Sequence, residues 1–171
     1  VTHLFVLVGG WPGSGKSTLA AALGPHLGLP VLAKDELKEA LADGLGQPCT
    51  VAESQRLGRA AVLGLLRVAQ RCPGAVLDST WFDYTTPLVQ ALPGRVVEIR
   101  CVVPVEVARS RYHARAAHRH SGHLDLRRDE SELWGRPVAP LGIGPLIEVD
   151  TTHPVDIPAL ATEILRASRV D

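Results

Sequence analysis

Between an apolar run at 4–8, LFVLV, and a helix-forming run at 19–23, LAAAL, the chain reads GGWPGSGKST from Gly9 to Thr18. A strand that must become a helix within a few residues leaves the intervening loop few ways to run. Glycines there let consecutive backbone N–H groups point inward with no Cβ in the way, and the helix that follows adds free amide donors and the positive end of its dipole. The result is a cradle for anionic oxygens. Gly10-x-x-x-x-Gly15-Lys16-Ser17 fits the phosphate-binding P-loop pattern, with the required strand before it and helix after it. In that pattern Gly10, Trp11, Pro12, Gly13, Ser14, Gly15, Lys16, Ser17 and Thr18 surround the phosphates of a nucleotide. Lys16 reaches the β- and γ-phosphates, and the Ser17 hydroxyl holds a magnesium ion. A glycine-rich turn without a ligand would need neither the lysine nor the hydroxyl. The chain has only three lysines, Lys16, Lys34 and Lys38, against fifteen arginines, so a lysine at this position is not background composition.

The rest of the chain alternates short β-branched runs with helical patterns. Strands are expected at 4–8, 30–33, 75–78, 95–103 and 146–149, and helices at 16–28, 34–43, 51–71, 84–91, 104–120 and 156–168. Thr50 and Glu53 form a capping box ahead of the third helix, and Pro104 suits the first turn of the fifth. Such alternation implies an α/β fold with parallel strands, right-handed crossovers and helices on both faces. Ligands of these sheets sit beyond the carboxyl ends of the strands, where the Gly-rich loop lies. The 171 residues amount to one domain by length. A net charge of zero excludes a global field that would recruit nucleic acid or an anionic membrane. No apolar run approaches a membrane span and no signal-peptide pattern opens the sequence, so a soluble, cytoplasmic protein is expected. Cys49, Cys72 and Cys101 have no metal-type spacing and read as reduced, mostly buried apolar residues.

In this architecture, polar residues just after each strand gather at the loop's mouth. Asp35 follows PVLAK and opens the second helix, with Lys38 one turn away to place a cation beside it. Asp78 ends AVLD and is followed by Ser79 and Thr80, on a strand placed to orient magnesium and its waters. Asp35, Lys38, Asp78 and Thr80 are the candidate substrate contacts, and Ser17 and Asp78 the candidate metal ligands. Each aspartate also has a plainer role open to it, a helix cap for Asp35 and a chain turn for Asp78.

GWPGSGKSTLA, LGLPVLAKDELKEAL, AVLDST, an arginine-rich helix and a late EVDTT together resemble the small P-loop kinases grouped under a generic AAA-type ATPase domain. That group includes gluconate kinase, chloramphenicol phosphotransferase, zeta-toxin kinases and the kinase domain of polynucleotide kinase. The resemblance implies a three-layer α/β/α P-loop NTPase fold with a five-stranded parallel sheet and an arginine-rich lid. It implies ATP (or GTP) and magnesium, with transfer of the γ-phosphoryl group to a hydroxyl of a small molecule. By resemblance Asp35 accepts the acceptor's proton, and Thr151 and Thr152 wrap the nucleoside after the last strand. A polynucleotide 5′-hydroxyl kinase, or a nucleotide-dependent switch without an acceptor, are the alternative functions. Nothing in the chain resembles the ring-forming arginines of AAA+ motors.

Residues 104–128 hold six arginines and four histidines against two acids, Glu106 and Asp125. Arg111, Arg115 and Arg119 recur every four residues and should share a helix face. A lid over 112–140 would bring these cations over the γ-phosphate, where charge develops in the transition state. The small kinases named above carry arginines in the corresponding helix and lid, and by that resemblance Arg115 and Arg119 are the catalytic candidates, with Arg111 placed with the nucleotide; a solvated basic face is the alternative. His118, His120 and His123 lack the cysteine partners and spacing of a structural zinc site. They read as acceptor contacts or as solvated lid residues whose charge grows as pH falls. The stretch after the lid, ELWGRPVAPLGIGP, reads as loop, in which Trp134 either stacks on a ligand or packs beneath the chain. Trp11, Trp81, Phe82 and Tyr84 near the mouth hint at an apolar or aromatic acceptor.

Overall fold

The computed structural model describes residues 3–169. Strands β1 (Leu4–Gly10), β2 (Val31–Ala33), β3 (Gly74–Asp78), β4 (Arg95–Val102) and β5 (Leu146–Asp150) pair in parallel in the order β2-β3-β1-β4-β5. The helices are α1 (Lys16–Leu27), α2 (Lys34–Leu45), α3 (Val51–Ala69), α4 (Thr86–Gln90), α5 (Val105–Ala116), α6 (Glu130–Trp134) and α7 (Ile157–Ala167). The five expected strands are all present, with ends shifted by one or two residues.

β1 is buried along its whole length, and its side chains feed two apolar layers in alternation. Leu4, Val6 and Val8 meet Leu19 and Leu23 of α1 and Leu160 and Ile164 of α7. Phe5 and Leu7 meet Val62, Leu65 and Leu66 of α3 and Val89 of α4. A strand apolar on both faces belongs at the centre of a covered parallel sheet. The loop that leaves β1 therefore emerges mid-sheet, flanked by the ends of β3 and β4. Ahead of α3 the capping box forms: Glu53 N donates to Thr50 Oγ1 (3.2 Å) and Thr50 N donates to Glu53 Oε2 (3.2 Å).

On the α3 side of the sheet, the segment 138–145 covers β4 in place of a helix. Glu98, 4 % exposed, organises it by accepting from the amides of Leu141 and Ile143, both at 2.7 Å. Glu98→Ala would strand those amides in a site largely closed to water. The expected loss is about 2 to 4 kcal/mol, since each orphaned buried group costs about 1 to 3 kcal/mol. A lower denaturation midpoint, partly recovered in Glu98→Gln, checks this.

The arginine helix is shorter than its periodicity predicts. α5 ends at Ala116 rather than near 120, because Arg119, His120 and His123 find polar partners on α2 instead of along their own axis. Arg119 accordingly does not share a helix face with Arg111 and Arg115. Glu132, Leu133 and Trp134, expected in a loop, lie in α6, which Asp129 caps by accepting from Ser131 N (2.7 Å). Of the cysteines only Cys101 is buried; Cys49 is exposed and Cys72 half-buried.

Candidate active site

Gly10 and Gly13 shape the loop after β1. Gly13 has φ +81°, and a Cβ there would stand 2.1 Å from the Ala108 carbonyl oxygen of α5. At Gly10, φ +138°, a Cβ would meet the Cys101 carbonyl oxygen at 2.7 Å. Only glycine permits the loop to lie this close to α5 and β4. Ser14 N donates to Trp11 O (3.0 Å), closing the turn. Lys16 Nζ donates to the same Trp11 carbonyl at 2.9 Å, so the ammonium reaches back across the cradle. Ser14 Oγ, 1 % exposed, is buried without a hydrogen-bond partner. Thr18 is exposed on the first turn of α1. Two indoles brace the loop from outside: Trp134 Nε1 donates to Pro12 O (3.1 Å) and Trp11 Nε1 to Arg136 O (2.9 Å).

Asp78 closes β3 with its Cα paired to Val8 on one side and Ala33 on the other, two residues before Asp35. This register brings Lys16, Ser17, Asp78 and Asp35 into one electrostatic group. Burial raises the Asp78 carboxyl, against Lys16 and a hydrogen bond with the Ser17 hydroxyl, which both favour its charged form. Burial lowers the Lys16 ammonium, against the pull of Asp78 and Asp35. A cradle closed to any Cβ at Gly13, an unpartnered Ser14 hydroxyl and a paired Ser17–Asp78 oxygen set fit a nucleotide's phosphates and a magnesium ion. Thr80 lies just beyond, half-buried, and among the described residues its hydroxyl makes no hydrogen bond.

Asp35 opens α2 between two cations. Lys34 Nζ donates to its Oδ1 (2.6 Å), and Arg119 donates to its Oδ2. Burial alone would raise this carboxyl, but Lys34 and Arg119 hold it far below the usual carboxylate range. The cation beside Asp35 is thus Lys34 and not Lys38, whose ammonium turns away to Ser54 Oγ of α3 (2.7 Å). Arg119 Nη1 also donates to Asp125 Oδ2 (3.0 Å), which fixes the guanidinium. Arg115 lies over the Tyr112 ring, 5.5 Å from its centroid, and its charge is felt at Lys16.

The histidines dock this segment onto α2. His123, 4 % exposed, pairs through Nε2 with Glu39 Oε1 (2.8 Å), and His120 Nε2 with Asp43 Oδ1 (3.0 Å). The Ser54 hydroxyl donates to Gly122 O (2.8 Å) and Arg127 Nη1 to Cys49 O (3.0 Å). His120 and His123 are therefore fasteners, not solvated polarity, and no metal-binding group of histidine, cysteine or acid occurs among the described residues. Trp134 packs beneath the chain with Val103, Ala108 and Tyr112. Trp81 is a core residue whose indole donates to Val8 O (3.2 Å). Phe82 and Tyr84 alone stay exposed, at 52 % and 43 %, stacked 6.1 Å apart with Arg59 over Tyr84.

Arg111 serves a different quarter from Arg115 and Arg119. Its Nη2 donates to the carbonyls of Thr151 (3.0 Å) and Thr152 (3.2 Å), just past β5. Thr151 Oγ1 donates to Ser14 O (2.6 Å), so the strand-end pair borders the P-loop on the side away from Asp35.

The AAA domain family matches residues 5–129, which hold the loop, both aspartates and the arginine helix. The chain belongs to this family. The chain is 36% identical over 134 residues to an uncharacterized protein of Mycobacterium tuberculosis, a match covering 67% of this chain and 26% of that protein. The chain thus spans about a quarter of the length of the curated relatives it matches. A crystal structure from Chloroflexus aurantiacus, put forward as that of a kinase, superposes with TM-score 0.86 at 32% identity, covering 98% of this chain and 99% of the other. A gluconokinase from Sinorhizobium meliloti superposes with TM-score 0.64 at 20% identity over 98% of this chain and 94% of its own, a likeness of fold. The P-loop NTPase fold of this AAA domain is thereby placed beside kinase structures. No described helix is long and apolar enough to cross a membrane.

Three members of the site escape a reading of the sequence: Lys34, Ser54 and Glu39. Lys34 had a signal, its place directly before Asp35 in KDELK. Ser54 and Glu39 had none, since their partners lie on other elements.

Proposed function

We propose that this AAA domain is an ATP-dependent phosphotransferase acting on a hydroxyl of a small molecule. The observation that carries the reading is Asp35, at the loop's mouth, its oxygens held by Lys34 and Arg119 and its field felt at Lys16. The acceptor oxygen bonds to the γ-phosphorus, and the bond from that phosphorus to the β–γ bridging oxygen breaks. ADP leaves with the electron pair, and the acceptor's proton passes to an Asp35 oxygen. The free backbone N–H groups of the loop and Lys16 hold the β- and γ-phosphates, while Arg115 and Arg119 stabilise charge on the transferring group. Ser17 and Asp78 would hold magnesium, which when bound neutralises phosphate oxygens. Arg111, Thr151 and Thr152 border the nucleoside of ATP or GTP; Thr80 and Lys38 stand on the acceptor side. The cytoplasm is the setting that goes with this chemistry.

One observation favours a second reading, a polynucleotide 5′-hydroxyl kinase: the exposed Phe82–Tyr84 stack with Arg59 resembles a platform for nucleobases. Zero net charge weighs against it. The test supplies labelled ATP and magnesium with hydroxylated small molecules or with 5′-hydroxyl oligonucleotides across a salt series. Phosphate on a small molecule, with little salt dependence, is expected. Efficient end-labelling that falls steeply with salt would put the second reading first. ATP hydrolysis that no acceptor accelerates would mark a switch instead.

A further inference from the structure

Lys38 is 3 % exposed, and its ammonium donates to a neutral hydroxyl, Ser54 Oγ, at 2.7 Å. Among the described residues no carboxylate lies within ion-pair reach of it. Lys34, Arg128 and Arg119 all press on its charge, and Asp35 is the acid that acts on it most. α3 presents Gly58 to this cluster: a Cβ there would stand 3.6 Å from Lys34 Cε and 3.8 Å from Lys38 Cδ. The nearby acids are committed elsewhere. Asp35 is held by Lys34 and Arg119, Asp125 by Arg119, Glu132 by Arg128 and Glu39 by His123.

A buried cation among cations, with no anion of its own, is costly to keep. Burial and the neighbouring Lys34 bring Lys38 down to about 8. A link from α2 to Ser54 and on to the Gly122 carbonyl needs only a hydrogen-bond donor, and a neutral side chain would supply one without the charge. The charge itself calls for a counter-ion that the fold does not contain. Lys38 lies one helical turn from Asp35, which puts their Cβ atoms roughly 5 to 6 Å apart on one face of α2. Both can therefore meet one small molecule, the carboxylate at its hydroxyl and the ammonium at an acidic group a few bonds further along.

We propose that the acceptor is an anion, a carboxylate or a phosphate ester, whose charged group is received by Lys38 with Lys34 beside it while its hydroxyl faces Asp35. This rests on the kinase reading above and narrows its substrate class. Access is through movement of the segment 121–123, which Ser54 fastens over the lysine.

The test uses the three lysines as separate probes. With the P-loop filled by magnesium and a non-hydrolysable ATP analogue, inorganic sulfate is titrated while the side-chain signals of nitrogen-labelled lysine are followed by NMR. Saturable shifts at Lys38 and Lys34, weakened about tenfold or more in Lys34→Gln as expected for losing one charge-assisted contact, are the predicted result. No saturable response at Lys38, or one confined to Lys16, overturns the proposal. Lys34→Gln is the chosen variant because it removes one charge from the cluster and leaves Lys38, whose signal the titration reads, in place.

A second arm offers a neutral polyol, its carboxylic acid and its phosphate ester as acceptors. The anionic members should exceed the neutral one in kcat/KM by about tenfold or more, through KM, and the better of the two identifies the group. Equal or greater use of the neutral polyol overturns the proposal. Transfer to none of them counts against the kinase reading, and the lysine signals then decide the anion site on their own.

Discussion

Lys16→Ala is expected to lower phosphoryl transfer by about 100- to 1,000-fold, the effect of removing one preorganised group that meets developing charge. Among the described residues the side chain hydrogen-bonds only to the Trp11 carbonyl of its own loop, so its loss empties no core position. Burial already disfavours the ammonium, and Asp78 and Asp35 maintain it. On the proposed reading, a phosphate arriving at the loop would add a stronger counter-charge and draw Lys16 off the carbonyl. Transfer rates at saturating ATP, compared alongside thermal unfolding, separate a catalytic loss from a folding one. Near-normal turnover would remove the P-loop from the reaction.

Asp35→Asn should cost about 100- to 10,000-fold in transfer while ATP and magnesium still bind, because proton acceptance is lost and the phosphate cradle is untouched. With Lys34 and Arg119 in place, Asp35 is ionised throughout the neutral range and only weakly basic. A loose phosphoryl transfer asks little basicity of it until late, so orienting the hydroxyl is its first task. Asp78→Asn should behave differently, weakening nucleotide affinity in magnesium and changing it little without. Titrations of both variants with and without magnesium distinguish the roles, and unchanged transfer in Asp35→Asn would leave that residue a helix cap. The same ion pairs carry a pH signature. The folded Asp35 value lies below the unfolded one of about 4, so the stabilisation is complete above that pH and fades as acid carries the medium down towards the depressed value. Asp35→Asn should flatten that part of the acid-unfolding profile.

What could be read from sequence here was what is local along the chain. The loop at 10–18 is contiguous, Asp78 announces itself by ending a strand, and Asp35 by opening the helix two residues after one. Partnerships across elements were another matter. Helix spacing puts Lys38 beside Asp35, yet Ser54 of α3 takes the ammonium and the adjacent Lys34 replaces it. Four-residue periodicity puts Arg119 on a helix with Arg111, but Arg119 stands in the turn beyond and reaches Asp35, 84 positions away. The histidines gave no sign of their role because their complement, Glu39 and Asp43, is an acidic pair on an unrelated helix. Periodicity describes a face and says nothing of what covers it.

The indoles have a practical consequence. All three tryptophans of the chain donate to backbone carbonyls in or beside the P-loop: Trp11 to Arg136, Trp134 to Pro12 and Trp81 to Val8. Any displacement of the loop on filling must stretch or reorient at least two of these bonds, and indole emission responds to such changes in polarity and hydrogen bonding. Filled as proposed, the loop would be gauged by the protein's own indoles, readable in stopped flow without a label. Trp134, rooted beside the arginine segment, would report closure over the nucleotide on a clock separate from that of Trp81 in the sheet.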